Sequence, residues 1–194
     1  MVLNIVQYGD PVLRKKCREV EQVDKEIEQF VDDMLETMRD AQGVGLAAPQ
    51  VGVDLRLAVV DVAHDPECIS FLKVNGEDAK LEDIMPLVFI NPELKFGKDK
   101  DLDTEGCLSI QEIRAKVRRP VVVKATLPQL DGSVLHIETD GLLSRAIQHE
   151  VDHLNGILFT DRVSSVAKTR LKRKLQNLAD TDWEPHGETP NLAK

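Results

Sequence analysis

No apolar run in this 194-residue chain approaches the roughly 20 residues that a membrane-crossing helix needs. The first residues, Met-Val-Leu-Asn-Ile, lack the basic start and long apolar stretch of a secretory signal, so the expected location is the cytoplasm. Cysteine is scarce: Cys17, Cys68 and Cys107 are odd in number and irregular in spacing, which excludes a disulfide framework and suits a reducing compartment. Positive charge is outweighed, 25 Lys and Arg against 34 Asp and Glu for a net charge of -9. General nucleic-acid binding, which needs clustered positive charge, is therefore not expected. Internal repeats and low-complexity tracts are absent too. What remains, at 42% apolar residues, is enough to fill one substantial core.

The chemistry concentrates in His149-Glu150-Val151-Asp152-His153. Two imidazoles four apart on a helix can grip one divalent metal while the glutamate between them stays free for proton transfer. On a helical wheel of residues 141–154, His149, His153, Leu142 and Ala146 share one sector with Glu150 at its edge. Leu143, Ile147, Val151 and Leu154 form an apolar sector beside it, leaving Ser144, Arg145, Gln148 and Asp152 as the strip for water. Buried imidazoles need hydrogen bonds or a ligand to offset lost hydration. Two core histidines bonded to carbonyls are the bland alternative, awkward for a pair beside a carboxylate.

A catalytic site of this kind needs a third protein ligand. One group of zinc peptidases places a histidine six residues beyond the second, after a glycine; here Gly156 is kept but Phe159 stands at the ligand position. Of the downstream carboxylates, Asp180, Asp182, Glu184 and Glu188 fall at or beyond the end of a basic helix, leaving only Asp161 closer. Upstream, the best candidate is Cys107 in Thr104-Glu105-Gly106-Cys107-Leu108-Ser109. A thiolate suits zinc or ferrous iron equally, Gly106 allows close backbone approach, and the alternative is a small buried hydrophobe. A third segment, Gly43-Val44-Gly45-Leu46-Ala47-Ala48-Pro49-Gln50, offers one neutral amide donor after a run of small residues. By itself it reads as a helix stop and a tightly packed loop.

Taken together, G-x-G-L-A-A-P-Q, E-G-C-L-S and Q-H-E-x-D-H, in that order, resemble the three signature motifs of the bacterial peptide deformylases. The likeness extends over most of residues 1–162, through Tyr8–Arg14, Ile90-Asn91-Pro92 and Leu154-Asn155-Gly156. It implies a hydrolase that removes the formyl group from N-formylmethionine at the start of newly made chains, releasing formate. It implies that Cys107, His149 and His153 hold the metal, with Fe2+ as the native ion and zinc or another divalent ion able to replace it. By the same likeness Glu150 handles the proton, and Gln50 and the backbone N–H of Leu108 hold the oxyanion. Gly45 and Gly106 suit a small formyl group; Val44, Leu142 and Ala146 are expected to wall a methionine pocket, with Glu105 and Arg145 near its mouth. The alternative activity is that of a zinc endopeptidase.

Two departures from the family stand out: Gln111 where many members have proline, and a longer stretch at about residues 64–86, read as a surface flap. The expected partners are N-formylmethionyl peptides. Lys168, Arg170, Lys172, Arg173 and Lys174 spread around their helix and read as a solvated face; the competing reading is a transient ribosome contact.

Periodicity predicts a helix over 24–42, with Ile27, Phe30, Val31, Met34, Leu35 and Met38 on one face and Gly43 as its left-handed stop. Strands are expected at 55–62, 87–91, 115–126 and 133–138, the last two joined across Asp131-Gly132. A helix over 164–179 would pack through Val166, Leu171, Leu175 and Leu178. The expected fold is α+β, an antiparallel or mixed sheet wrapped around the central metal-binding helix, with an additional C-terminal helix. Residues 1–180 would form a single catalytic domain and 181–194 a polar, mobile tail.

Overall fold

The computed structural model describes all of the chain except Pro185, Asn191, Ala193 and Lys194. Among the described residues every strand ladder is antiparallel, and the class is the expected α+β.

Helix α1 (Lys25–Asp40) starts where the Asp24 carboxylate accepts from the Glu26 and Ile27 N–H groups, each at 3.0 Å. It buries Ile27, Phe30, Val31, Met34 and Met38. Its end differs from expectation: Gln42, not Gly43, takes the left-handed conformation, at φ 54°. Gln42 N–H bonds to Arg39 O and Gly43 N–H to Met38 O, the two bonds of a Schellman closure. At Gly43 a Cβ would stand 2.8 Å from Leu108 Cδ1, so the Leu108 side chain would have to shift.

Strands β1 (Gly45–Ala47), β2 (Leu57–Val60) and β5 (Leu87–Ile90) form a three-stranded sheet. A five-stranded sheet runs β4 (Glu77–Asp78), β3 (Leu72–Val74), β10 (Val134–Thr139), β9 (Val123–Pro128), β6 (Glu93–Phe96). Strands β7 (Lys100–Cys107) and β8 (Ile110–Pro120) pair only with each other. The single strand expected at 115–126 is therefore two, in different sheets: β8 ends at Pro120, which has no N–H to extend a ladder, and β9 restarts at Val123.

Residues 64–86 are not a free flap. They supply β3 to the five-stranded sheet, and Leu72 and Leu81 are buried in its core. Ser70 N–H also bonds to the Asp140 carboxylate at 2.8 Å, tying the segment to the start of helix α2 (Gly141–Leu154).

Helix α2 lies in the core that both larger sheets share. The strip expected to meet water is also buried: Ser144, Arg145, Gln148 and Asp152 are covered, their polar ends bonded to Pro120 O, Val117 O, Glu105, Arg119 and one another. Helix α3 (Ser165–Ala179) buries Leu175 and half-buries Ala167, Leu171 and Leu178, but Val166 points outward at 59% exposure. Within the segment expected to be a tail, Glu188 pairs with the first residues: Asn4 N–H bonds to Glu188 O, and Glu188 N–H to Val2 O. No helix is long and apolar enough to cross a membrane among the described residues.

Candidate metal centre and active-site cleft

Cys107 is the last residue of β7, followed by a tight turn at Leu108-Ser109, and a register irregularity between Glu105 and Cys107 re-aims the strand end. The turn is anchored from the N-terminal segment by Gln7 Nε2 on Leu108 O at 3.2 Å and Tyr8 N–H on Ser109 O at 2.8 Å. Opposite stands α2, which presents His149 and His153 one turn apart, their rings edge-on at 5.0 Å between centroids. One donor atom from each of Cys107, His149 and His153 lies within 4.8 Å of the others, and Cys107 Sγ is 3.3 Å from His153 Nε2. Phe159, at the position of the peptidase third ligand, stacks on His149 at 6.2 Å. Asp161 is held by Arg14. The other cysteines stand apart from this group, and burial pushes the Cys17 thiol up to about 11.

The donor set fits a soft or borderline divalent ion. His149 Nδ1 stands 3.0 Å from Glu105 Oε2; the carboxylate can only accept, so Nδ1 donates and Nε2 is left for the centre. Burial alone would lower the His149 pKa, but hydrogen bonds to Cys107 and Glu105 outweigh it and push the imidazole up to about 10. His153 is held well below its ordinary value by burial and then by the charge of His149, so it stays a neutral lone-pair donor. Burial would likewise raise Glu105, yet the bonds from His149 and Arg119 keep it well below the usual carboxylate range.

Glu150 and Gln50 flank this group. Burial pushes the Glu150 carboxyl up to about 7, and its Oε2 has no hydrogen-bond partner. It lies against the backbone of Gly45, where any Cβ would fall on the carboxylate. Gln50 is fixed at both ends of its amide: Oε1 accepts from Ala47 N–H at 2.9 Å, so Nε2 faces Cys107 Sγ and Ser109 Oγ, each at 3.4 Å.

A cleft of about 360 Å3 opens over these groups. Val44, Gly45, Gly106, Leu108, Leu142 and Ala146 all line it. Glu105 and Arg145 line it too, but not as a charged mouth. They are only 6% and 8% exposed, and Arg145 Nη1 donates to Glu105 Oε1 at 2.7 Å and Nη2 to Asp101 at 2.5 Å. Sequence reasoning missed Ile110, Ile113 and Arg114 along the cleft, and Arg119 behind it. The signal for Arg119 was present: Ile113, Val117 and Arg119 fall on one face of β8 at period two.

Residues 2–169 match the sequence model of the family described as polypeptide deformylase. The peptide deformylase of Clostridium botulinum is 48% identical over 161 residues, 83% of this chain and 96% of that protein. That of Methylacidiphilum infernorum is 43% identical over 178 residues, 92% of this chain and 93% of its own. Among solved structures, the peptide deformylase of Synechococcus elongatus in complex with actinonin is 37% identical with a TM-score of 0.75, over 92% of this chain and 87% of that one.

Proposed function

Because this chain belongs to the peptide deformylase family, and is thus a hydrolase that removes the formyl group of N-formylmethionine from newly made polypeptides, we propose that Cys107, His149 and His153 hold its metal. The observation that carries the assignment is the convergence of one thiol and two imidazoles within 4.8 Å, flanked by a buried carboxyl and a fixed amide. The endopeptidase alternative is not favoured.

A divalent ion held by Cys107, His149 and His153 would supply Lewis acidity, lowering the pKa of water toward neutrality. Glu150, whose carboxylate makes no hydrogen bond to the protein at its buried Oε2, takes the water's proton and delivers it to the departing amine. Its raised pKa suits a group that must gain and lose a proton near neutrality. Gln50 Nε2 and the Leu108 N–H donate to the formyl oxygen as charge grows there; removing one such donor costs about 10² to 10³ in rate. The absent side chains of Gly45 and Gly106 leave room for the small formyl group, while Val44, Leu142 and Ala146 receive the methionine side chain. The paired charges of Glu105 and Arg145 make the wall they form effectively neutral.

We assign Fe2+ as the native ion, the cytoplasm as the location, and residues 1–180 as one catalytic domain. A transient ribosome contact through α3 is part of the reading, supported by five exposed basic residues in an acidic protein that acts on emerging chains. Formate release from formyl-Met-Ala without cleavage of internal peptide bonds is the expected result. Elemental analysis after anaerobic purification, paired with turnover, tests the metal: zinc with full activity and no iron would overturn that part.

A further inference from the structure

The metal site spans two elements that share no strand ladder. Cys107 comes from the β7–β8 hairpin, which joins neither larger sheet, and both histidines come from α2. Several polar contacts join them, from Arg145 to Glu105, Asp101 and Val117 O and from Gln148 to Pro120 O, but Arg119, on β8 and only 2% exposed, is the side chain that reaches both Glu105 and the carboxylate next to His153. Its Nε donates to Glu105 Oε1 at 2.5 Å and its Nη2 to Glu105 Oε2 at 2.9 Å, a two-pronged grip on the residue that orients His149. Its Nη1 donates to Asp152 Oδ2 at 2.7 Å, on α2 immediately before His153.

We propose that Arg119 is a positioning residue that locks the Cys107 hairpin onto the histidine helix and thereby sets the affinity of the site for its ion. The proposal rests on the three-ligand reading above. A buried arginine that neutralised isolated carboxylates would have only a structural role, but each carboxylate here has a second arginine: Arg145 on Glu105, and Arg162 on Asp152 at 2.5 Å. Loss of Arg119 therefore leaves no buried acid unpaired. What disappears is the bridge from Glu105 to Asp152; the Arg145 and Gln148 contacts remain, but nothing then fixes the Glu105–His149 pair relative to the helix turn that carries His153. Lysine cannot restore it, because an ammonium lacks the planar fork that serves two carboxylates in fixed directions.

The experiment compares Arg119→Met, Arg119→Lys and Asp152→Asn with the unaltered protein. Zn2+ affinity is measured by chelator competition, the Co2+-loaded protein is examined for thiolate charge-transfer and ligand-field bands, and metal-free protein is melted. Both Arg119 variants should bind Zn2+ about 10- to 100-fold more weakly, the range for loss of groups that orient ligands, with altered Co2+ bands and native far-UV circular dichroism. Asp152→Asn should move both readouts the same way. A purely structural role would lower metal-free melting without moving the Zn2+ affinity or the Co2+ spectrum, and that result overturns the proposal. If Arg119→Met fails to fold, the other two decide: native affinity and spectrum in both also overturn it. Cys107→Ala is run in parallel. Full metal retention there would sink the ligand assignment, whereas metal loss there with wild-type behaviour at Arg119 sinks only the bridge.

Discussion

Glu150 and Gln50 both line the cleft beside Cys107, His149 and His153, and their surroundings suit them to opposite tasks. Gln50 is bonded at both ends of its amide and cannot reorient, which suits a fixed donor. Glu150 keeps one oxygen unbonded and is held protonatable near neutrality by burial, which suits a carrier of protons. Glu150→Gln should therefore retain the metal and lose about 10² to 10⁴ in turnover; near-normal formate release by that variant would assign the proton to another group. Alanine at Cys107, His149 or His153 should instead remove most of the metal and all measurable turnover, read by elemental analysis and formate release. These residues were legible because their spacing carries the chemistry: two imidazoles one helical turn apart, and a thiol beside glycine. Glu105 was legible as a site residue but not in its task. A charged side chain suggests a wet mouth, and only the fold reveals that His149, Arg119 and Arg145 all converge on it.

Among the elements, α2 was readable to its ends because its apolar pattern runs without interruption from Leu142 to Leu154. Strands β6 and β7 were not, since Glu93–Phe96 and Lys100–Cys107 are largely exposed and lack the apolar alternation that marks a half-buried strand. The left-handed stop of α1 was placed one residue late because glycine is the usual left-handed residue, whereas Gln42 holds that conformation here. Gln42→Gly should remove the left-handed penalty and stabilise the protein by up to about 1 kcal/mol, measured as a higher denaturant midpoint; a lower midpoint would show that Gln42 makes compensating contacts. For α3, deletion would strip Leu175 from its cluster, so the ribosome contact is better tested in the full chain. Replacing Arg170, Lys172, Arg173 and Lys174 with glutamine leaves the Lys168 bond to Asp161 O intact. If α3 docks on ribosomal RNA, cosedimentation of the parent protein should fall steeply between low and moderate salt, and the variant should pellet less at low salt. Equal pelleting of both would leave α3 as a solvated face.

At the scale of the whole molecule, α+β order and a buried catalytic helix followed from the sequence, whereas the division into three sheets did not, because strand partners are set by contacts distant along the chain. That division has a consequence for which parts of the molecule open together. The β7–β8 hairpin is held by side chains, by the Tyr8 N–H bond to Ser109 O and, on the three-ligand reading, by the ion; β9 and β10 are held by ladders on both sides. Backbone amides of the hairpin should thus form a separate opening unit whose deuterium uptake depends on metal occupancy. Adding Zn2+ to chelated protein should slow uptake across residues 100–120 far more than across 123–139, and uniform slowing would mean that the molecule opens as one unit.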